Sequence, residues 1–309
     1  MANPAIPPLL EARSPDGGWG AYPDLPGRTE TTALAMLALF RDAAVTSSEA
    51  SSRAGREAAD WLTARQLDSG AWPIGDDVPG PSWTTSIASL ALSHAPDGPE
   101  ADARTNGAAG AAWLLTQEGR GSPWWLRVLR LFLRRPATVA LDPDLVGWPW
   151  VAGTFSWVEP TSYALLALKR FRPRGMARSA ARIEEAERLL LDRTCADGGW
   201  NYGNTRVFDE ELWSYPDTTA IALLALGDRP EHPVVPRALA ALEKGMLGND
   251  SHLALGLAAA ALATHGRDPE ALRDRLRARL AEWRGGAIRG LAWAALGLSG
   301  DDPLGVRRD

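Results

Sequence analysis

Three acidic residues stand at corresponding places in the sequence, each just before an apolar run. Glu30 precedes TTAL, Glu159 precedes PTSY and Asp217 precedes TTAI. Carboxyl groups serve as general acids and bases, and a proton shared by neighbouring carboxylates raises the pKa of one of them. A lone Asp at a helix start is instead stabilised as the anion. We predict these three residues as the catalytic acids, with Asp217 able to act only if Glu30, Glu159 or Asp209 approaches it in space.

Aromatic residues accompany these acids. The chain has 14 Trp against 5 Phe and 4 Tyr, and such an excess indicates either a repeated structural position or an aromatic-lined cavity. An aromatic pocket with a few convergent polar groups is a typical ligand site. Aromatic residues in and beside the loops before the apolar runs are predicted to gather at one mouth of the fold and to bind the substrate: Trp83, Trp148, Trp150, Trp157, Tyr163, Tyr202, Trp213 and Tyr215.

The apolar runs are predicted to be the inner helices of a helix-pair repeat. They follow Gly-x-Trp turns, and the spacing from Trp19 to Thr32 equals that from Trp72 to Thr85, since 32 − 19 = 85 − 72 = 13. Equal spacing predicts equal loop geometry, with Trp19, Trp72 and Trp200 clasping neighbouring repeats. The first four inner helices are predicted to begin at Thr31, Thr84, Thr161 and Thr218.

Repetition also predicts the fold class. Six helix pairs of roughly 40 to 55 residues cannot bury their apolar faces singly and must stack. Apolar inner helices suit the interior of a closed ring better than a solvent-lined groove. We therefore predict one all-α domain over residues 1–309, an α/α toroid of about six inner and six outer helices, with an insertion at about 122–139.

Composition excludes several other classes. The net charge of −5 gives no general attraction to nucleic acid. The single Cys195, the lack of a secretion signal in residues 1–13 and the lack of an 18-residue apolar run predict a cytoplasmic protein without a membrane span. No phosphate loop, dinucleotide fingerprint or Ser/His/Asp signature is present, and no cofactor is predicted. The oligomeric state stays open.

Residues 61–72, WLTARQLDSGAW, match the pattern aromatic-Leu-x3-Gln-x(2–5)-Gly-x-Trp throughout. This pattern resembles the repeat of the squalene/oxidosqualene cyclase and prenyltransferase β-subunit superfamily. Residues 190–200 and 9–19 fit with Cys195 and Ser14 in place of Gln. The resemblance covers about residues 6–230 and implies an α/α toroid, in agreement with the ring predicted from the repeats.

The resemblance also implies chemistry, with departures. Squalene-type cyclases have two toroids and an Asp-x-Asp-Asp-Thr motif whose central acid protonates an alkene or epoxide. Here the length suffices for one toroid, and residues 216–220 offer a single carboxylate, Asp217. The metal-binding motifs of other terpene synthases are also incomplete, because Asp76-Asp77 lacks the following Asp.

The related prenyltransferase β-subunits bind zinc through an Asp, a Cys and a His. Cys195 with Asp192 or Asp197 and His252 could supply that set. The family spacing Asp-x-Cys is absent, however, and Cys195 occupies the Gln position of the structural repeat. We therefore predict no metal site.

Three functions suit the predicted pocket. The first is a terpene cyclase-like isomerase acting on an isoprenoid, in which aromatic faces stabilise a carbocation and an acid starts the reaction. The second is a carbohydrate-active enzyme of the α/α toroid type, because Trp stacks on sugars and two carboxylates suffice. The third is a non-catalytic ring that binds a lipid or a protein. The resemblance favours the first.

The insertion has the composition of a helix in a membrane interface. Arg127, Arg130 and Arg134 recur at helical spacing, while Trp124, Trp125 and Phe132 supply apolar faces. The alternative is a helix docked on the protein's own surface. An isoprenoid substrate would come from lipid, so we predict peripheral membrane contact through these three aromatic residues.

Overall fold

The computed structural model describes residues 2–96, 101–121, 141–171, 177–208 and 210–307. These residues form twelve helices that alternate along the chain between an outer and an inner layer, with one antiparallel pair of strands. The outer helices are α1 (Ile6–Glu11), α3 (Glu49–Thr63), α5 (Ala101–Leu114), α7 (Ala177–Asp192), α9 (Val234–Gly245) and α11 (Glu270–Ala281). The inner helices are α2 (Thr29–Thr46), α4 (Thr85–Leu92), α6 (Val158–Arg170), α8 (Pro216–Ala225), α10 (His252–Thr264) and α12 (Ile288–Gly297), and the strands are β1 (Arg206–Val207) and β2 (Glu210–Glu211).

The inner helices form a closed ring. Each packs against the inner helix on either side, in the order α2, α4, α6, α8, α10, α12 and back to α2. The ring closes through the Ile288 N–H, which donates to Ala21 O (3.0 Å), and the Asn3 side chain, which donates to Ala295 O (2.8 Å). The predicted α/α toroid is confirmed. In this order α6 lies opposite α12, a relation that positions the candidate site.

One hydrogen-bond pattern fixes four of the turns before inner helices, and we call it the Trp clasp. At Trp72 the indole N–H donates to Leu62 O (2.7 Å), and the backbone N–H donates to the Thr85 hydroxyl (2.9 Å). The ring is fully buried, so both N–H groups are paired where water cannot reach. The same two bonds recur at Trp19 with Leu9 and Thr32, at Trp200 with Leu190 and Thr219, and at Trp148 with Leu114 and Thr161.

The clasp confirms that the Trp rings of the Gly-x-Trp turns are packed and that their N–H groups are satisfied, and its hydrogen bonds join the outer and inner helix of one repeat. One repeat differs. The Trp-to-Thr spacing is 13 residues in three clasps but 19 from Trp200 to Thr219, since 219 − 200 = 19. The six additional residues accommodate the β1–β2 hairpin, which projects exposed side chains beside the mouth of the ring.

The predicted helix starts are two or three residues late in three helices. Helix α2 begins at Thr29 rather than Thr31, α6 at Val158 and α8 at Pro216. The reason is that the threonine hydroxyls bond the preceding turn, as Thr218 does to Trp200 O (2.6 Å), instead of capping their own helix. Carbonyls of adjacent loops accept from the first N–H of the helix, as Tyr202 O does from Val158 (3.0 Å).

Side chains fill the ring below its mouth. All eight residues of α4 are buried, as are residues 254–264 of α10 and 290–297 of α12. Small residues let neighbouring inner helices approach each other closely. A Cβ placed on Gly256 of α10, for example, would lie 2.3 Å from Trp293 O on α12. Solvent therefore reaches the inner helices at their ends and not along a channel.

No helix in the described ranges has the length and hydropathy needed to cross a membrane.

The insertion at about 122–139, with Trp124, Trp125 and Phe132, lies outside the described residues, as does Asp209. Its contact with a membrane stays a prediction.

Candidate active site at the mouth of the ring

Four charged residues occupy the same position, the second residue of an inner helix. They are Glu30 in α2, Glu159 in α6, Asp217 in α8 and Arg289 in α12. The three carboxylates each precede their clasp threonine by two residues, so the clasp that starts the helix also places the acid. Acidic groups in the first turn are stabilised by the free N–H groups there. The repeat thus brings all four side chains to one mouth of the ring.

Arg289 connects two of these carboxylates. Its guanidinium donates from Nη2 to Glu159 Oε1, and its Nε lies 3.2 Å from Glu30 Oε1. Because α12 and α6 lie on opposite sides of the ring, the Arg289–Glu159 pair crosses the ring axis. We call this pair the axial bridge. Only 9% of the Glu159 side chain is exposed, and Arg289 and Glu30 are partly covered.

Burial shifts the protonation of both glutamates. Loss of hydration raises the pKa of Glu30, and the Arg289 charge opposes that rise. Burial likewise raises the pKa of Glu159. The Arg289 charge lowers this pKa, and the neighbouring Glu30 and Asp217 charges raise it further. Burial alone would lower the pKa of Arg289, but Tyr163 and the two glutamates raise it above its ordinary value. A single cation therefore serves two carboxyl groups, and burial raises the pKa of both above the ordinary value of a glutamate.

Asp217 lies beside this group. Its carboxylate accepts a hydrogen bond from the Thr218 N–H (2.9 Å), one of the first-turn N–H groups of α8. Its charge acts on both Glu159 and Tyr202. Asp217 is half-buried, so it faces both the axial bridge and solvent. The Asp217 charge is the smallest of the influences that raise the pKa of Glu159, and the catalytic role of Asp217 stays a prediction.

Two aromatic residues close the axis beneath the bridge. Tyr163 on α6 and Trp293 on α12 are completely buried and are in polar contact through the hydroxyl and the indole N–H. Neither group has a well-aligned hydrogen-bond partner among the described residues. Burial raises the pKa of Tyr163, so its hydroxyl stays neutral. This pair is the floor of the site.

Aromatic rings form part of the wall. Trp83 stands edge-on to Trp150 with ring centroids 4.4 Å apart, and its centroid lies 6.3 Å from that of Tyr163. Tyr202 and Tyr215 form a second pair, with centroids 5.3 Å apart, on the side of Asp217. Both tyrosines are about half exposed. Of the five rings, Tyr163 interacts electrostatically with Glu159 and Glu30, and Tyr202 with Asp217 and Glu159; contact of these rings with a substrate stays a prediction.

The other predicted aromatic residues are placed differently. Trp148 belongs to a Trp clasp, with its indole N–H on Leu114 O and 3% of the residue exposed, so its ring packs between repeats. It was predicted to contact substrate because its turn also leads into an inner helix, but the clasp occupies its N–H and its face. Trp157 directly precedes α6, and Trp213 is 71% exposed on the rim.

Sequence reasoning missed Arg289 and Trp293. The repeat that carries them lacks the Gly-x-Trp turn, so it offered no motif. The correspondence is visible only with the observed helix starts: Arg289 is the second residue of α12, the position that Glu30, Glu159 and Asp217 hold in their own helices.

Metal ligands do not gather here. Within the described ranges no three His, Cys, Asp or Glu side chains are grouped so that they could hold a metal ion. Cys195 is buried in a turn, and burial raises the pKa of its thiol to about 11. His252 instead stacks edge-on against Trp283, with centroids 5.3 Å apart.

No family model matches the chain, and no curated protein matches it in sequence. Solved structures do match. A type II terpene cyclase from Scytonema, in complex with its substrate geranylgeranyl dihydroxybenzoate, aligns with a TM-score of 0.61 at 18% identity, over 98% of this chain and 96% of that chain. An α-1,6-mannanase from Salegentibacter aligns with a TM-score of 0.63 at 8% identity, over 97% and 98%. An α-amylase from Clostridium perfringens aligns with a TM-score of 0.62 at 12% identity, over 95% of each chain. Likeness at these identities shows the α/α toroid fold.

Proposed function

We propose that the protein is a type II terpene cyclase-like enzyme that protonates an isoprenoid alkene or epoxide at the mouth of the ring. The observation that carries the proposal is the pair of buried carboxyl groups, Glu30 and Glu159, on one guanidinium, with the Asp217 charge acting on Glu159. An acid strong enough to protonate an alkene must hold its proton until the substrate is bound and then release it. Burial raises the pKa of Glu30 and of Glu159, which is the direction that the first requirement needs.

The fold brings together acidic residues that are far apart in the sequence. The Asp-x-Asp-Asp motif of squalene-type cyclases places acids side by side in the chain, whereas here Glu30, Glu159 and Asp217 come from three helices. Glu159 is held as the anionic partner of Arg289 by a direct hydrogen bond. Glu30 makes the longer contact, and its Oε1 is buried without an aligned hydrogen bond. Glu30 is therefore the better proton carrier.

The aromatic side chains of the wall suit the step that follows protonation of the alkene or epoxide. Protonation leaves a carbocation, which the faces of Trp and Tyr stabilise by cation–π attraction. Tyr163 and Tyr202 interact with the acids, and Trp83, Trp150 and Tyr215 extend the aromatic surface beside these two tyrosines. Loss of a proton to a carboxylate such as Asp217 would end the reaction and restore the charge of the site. The Gly-x-Trp resemblance and the fold shared with a terpene cyclase agree with this proposal.

A carbohydrate-active enzyme is the second candidate. It is favoured by the openness of the rim, where Trp213 is 71% exposed and Tyr215 is 48% exposed, because exposed aromatic faces stack on sugar rings. A mannanase and an amylase share the fold. Against it, Glu30 and Glu159 contact the same guanidinium, which leaves neither carboxyl group alone to face a glycosidic bond.

One incubation separates the candidates. The purified protein is mixed in parallel with squalene, terminal epoxides of shorter isoprenoids, prenyl diphosphates and oligosaccharides, and products are identified by mass spectrometry. We expect an isomer or a water adduct from an isoprenoid, and loss of that product in Glu30→Gln. Shortened oligosaccharides would establish the second candidate, and saturable binding without any product would establish a binding ring.

A further inference from the structure

We infer that only one end of the isoprenoid, a neutral alkene or epoxide unit, enters the ring, while the rest of the molecule stays outside along the rim. This inference rests on the proposed function and adds the kind of substrate the site accepts. Three observations carry it: the depth of the mouth, its charge, and the apolar surface beside it.

The described part of the ring has no room below the axial bridge. Glu159 and Arg289 meet on the axis, and Tyr163 and Trp293 meet beneath them with no exposed surface. Further down, the residues of α4, α6 and α10 are buried as far as the last turn. A folded chain of several isoprene units would have to displace this core. Protein interiors are packed like crystals, so such a displacement is costly. A single unit at the mouth displaces only solvent.

The charge of the mouth selects a neutral end. Glu30 and Glu159 both contact one cation, Arg289, and the negative charge of Asp217 acts on Glu159. The exposed strand β2 adds Glu210 and Glu211 at the rim. A diphosphate or carboxylate brought to the acids would meet an excess of negative charge in a partly desolvated position, where repulsion is stronger than in water. The end that reaches the acids is therefore uncharged, and an anionic head group stays outside.

Exposed apolar side chains on the rim can receive the part that stays outside. On the loop before α6, Val151 is 65% exposed and Phe155 is 66% exposed. The hairpin tip contributes Phe208, 96% exposed, in a left-handed backbone conformation with φ of 49°. Trp213 follows on the same loop. Exposed apolar groups concentrated beside a site mark a binding surface.

The test uses substrates whose far end cannot enter a protein. Terminal epoxides of geranyl, farnesyl and geranylgeranyl alcohols are prepared free and with a long polyethylene glycol chain on the alcohol oxygen, and kcat/KM is measured by mass spectrometry. We expect each linked substrate to react within about threefold of its free counterpart. Reaction of the free substrates but not of the linked ones would overturn the inference and leave the proposed function intact. No reaction of either kind would overturn both.

Variants test the rim separately. Val151→Ser with Phe155→Ser should raise KM for the farnesyl epoxide about tenfold, since two apolar contacts are lost, with kcat unchanged. Val45→Ser is the matched control, because Val45 is 64% exposed at the opposite end of an inner helix and should leave KM unchanged. Equal KM values for the rim variant and the control would contradict an outer path for the chain.

Discussion

At the scale of single residues, one guanidinium organises the site. Arg289 contacts Glu159 across the ring and Glu30 beside it. One positive charge does not balance two negative ones, and burial raises the pKa of both glutamates. In the proposed reaction the two residues therefore have different roles: Glu159 is the hydrogen-bonded partner of Arg289, and Glu30 is the proton donor.

Asp217→Asn should lower turnover by about 10²–10⁴-fold, the usual cost of losing general acid–base catalysis, and Glu159→Gln should lower turnover too, because Arg289 loses its charged partner across the ring. Their melting temperatures should differ. Asn retains an oxygen that accepts the Thr218 N–H, so Asp217→Asn should melt like the wild type. Glu159→Gln removes a buried ionic partner of Arg289 and should melt earlier. Product assays and thermal melts check this, and near-normal turnover in both variants would refute the catalytic assignment.

Glu30→Gln should change the pH dependence of stability. The pKa of Glu30 is raised above its ordinary value of 4.5 because the carboxyl group is buried. The folded state then binds the proton more tightly than the unfolded state, so the contribution of Glu30 to stability is complete below pH 4.5 and is lost as the pH rises through the folded-state pKa. Gln does not titrate at this position.

Urea unfolding at several pH values measures the effect. The free energy of unfolding of Glu30→Gln, relative to the wild type, should increase from pH 4.5 upwards. Asp76→Asn provides a control, since the Asp76 side chain is 75% exposed. A difference between Glu30→Gln and wild type that stays constant with pH would show that Glu30 titrates normally.

At the scale of elements, the Trp clasp joins each turn to the helix that follows. In every clasp the threonine hydroxyl accepts from the backbone N–H of the tryptophan, while the indole N–H is bound to the preceding outer helix or to the residues that end it. An unpaired buried N–H is costly. The clasp thus fixes the start of the inner helix. Glu30, Glu159 and Asp217 each lie two residues before the clasp threonine, so the clasp also directs these three side chains towards the mouth.

Thr85→Val should lower the free energy of unfolding by about 1–3 kcal/mol, because it leaves the buried Trp72 N–H without its acceptor while preserving shape. Thr116→Val is the control: its exposed hydroxyl bonds only neighbouring residues, and the change should stay within about 0.5 kcal/mol. Denaturant unfolding measures both. Equal stability of the two variants would show that the clasp contributes nothing beyond packing.

At the scale of the whole molecule, small residues allow the ring to close tightly. Gly256 on α10 and Gly297 on α12 face each other: a Cβ on Gly297 would lie 2.5 Å from Gly256 O. This close approach brings neighbouring inner helices together and leaves the interior filled. Because the interior is filled, solvent is confined to the mouth of the ring, and so is the proposed reaction.

Gly256→Ala should destabilise the protein by about 1–3 kcal/mol, the usual cost of overpacking, because the new Cβ would overlap Trp293 O. The sign of the change in the free energy of unfolding is informative, because replacing Gly by Ala inside an isolated helix stabilises the helix by about 1 kcal/mol. Gly80→Ala, which meets nothing within 4 Å, is the control and should be near neutral. A stabilised Gly256→Ala would show that the two helices are further apart than described.

Local patterns in the sequence determined the class of fold and part of the site. The Gly-x-Trp turns, the equal spacing from Trp19 to Thr32 and from Trp72 to Thr85, and the apolar runs predicted paired helices in a ring. They also placed Glu30, Glu159 and Asp217 at helix starts. These features depend on neighbours within about 20 residues, and turn geometry and helical periodicity are properties of such short stretches.

Only the tertiary structure decided which side chains meet. Glu159 and Arg289 are 130 residues apart, and they touch because six repeats close into a ring that sets α6 opposite α12. Closure also decided that Trp293 and Tyr163, which lie on opposite inner helices, meet at the axis. Contacts across a ring depend on the number and curvature of all repeats, and no short segment of the chain contains that information.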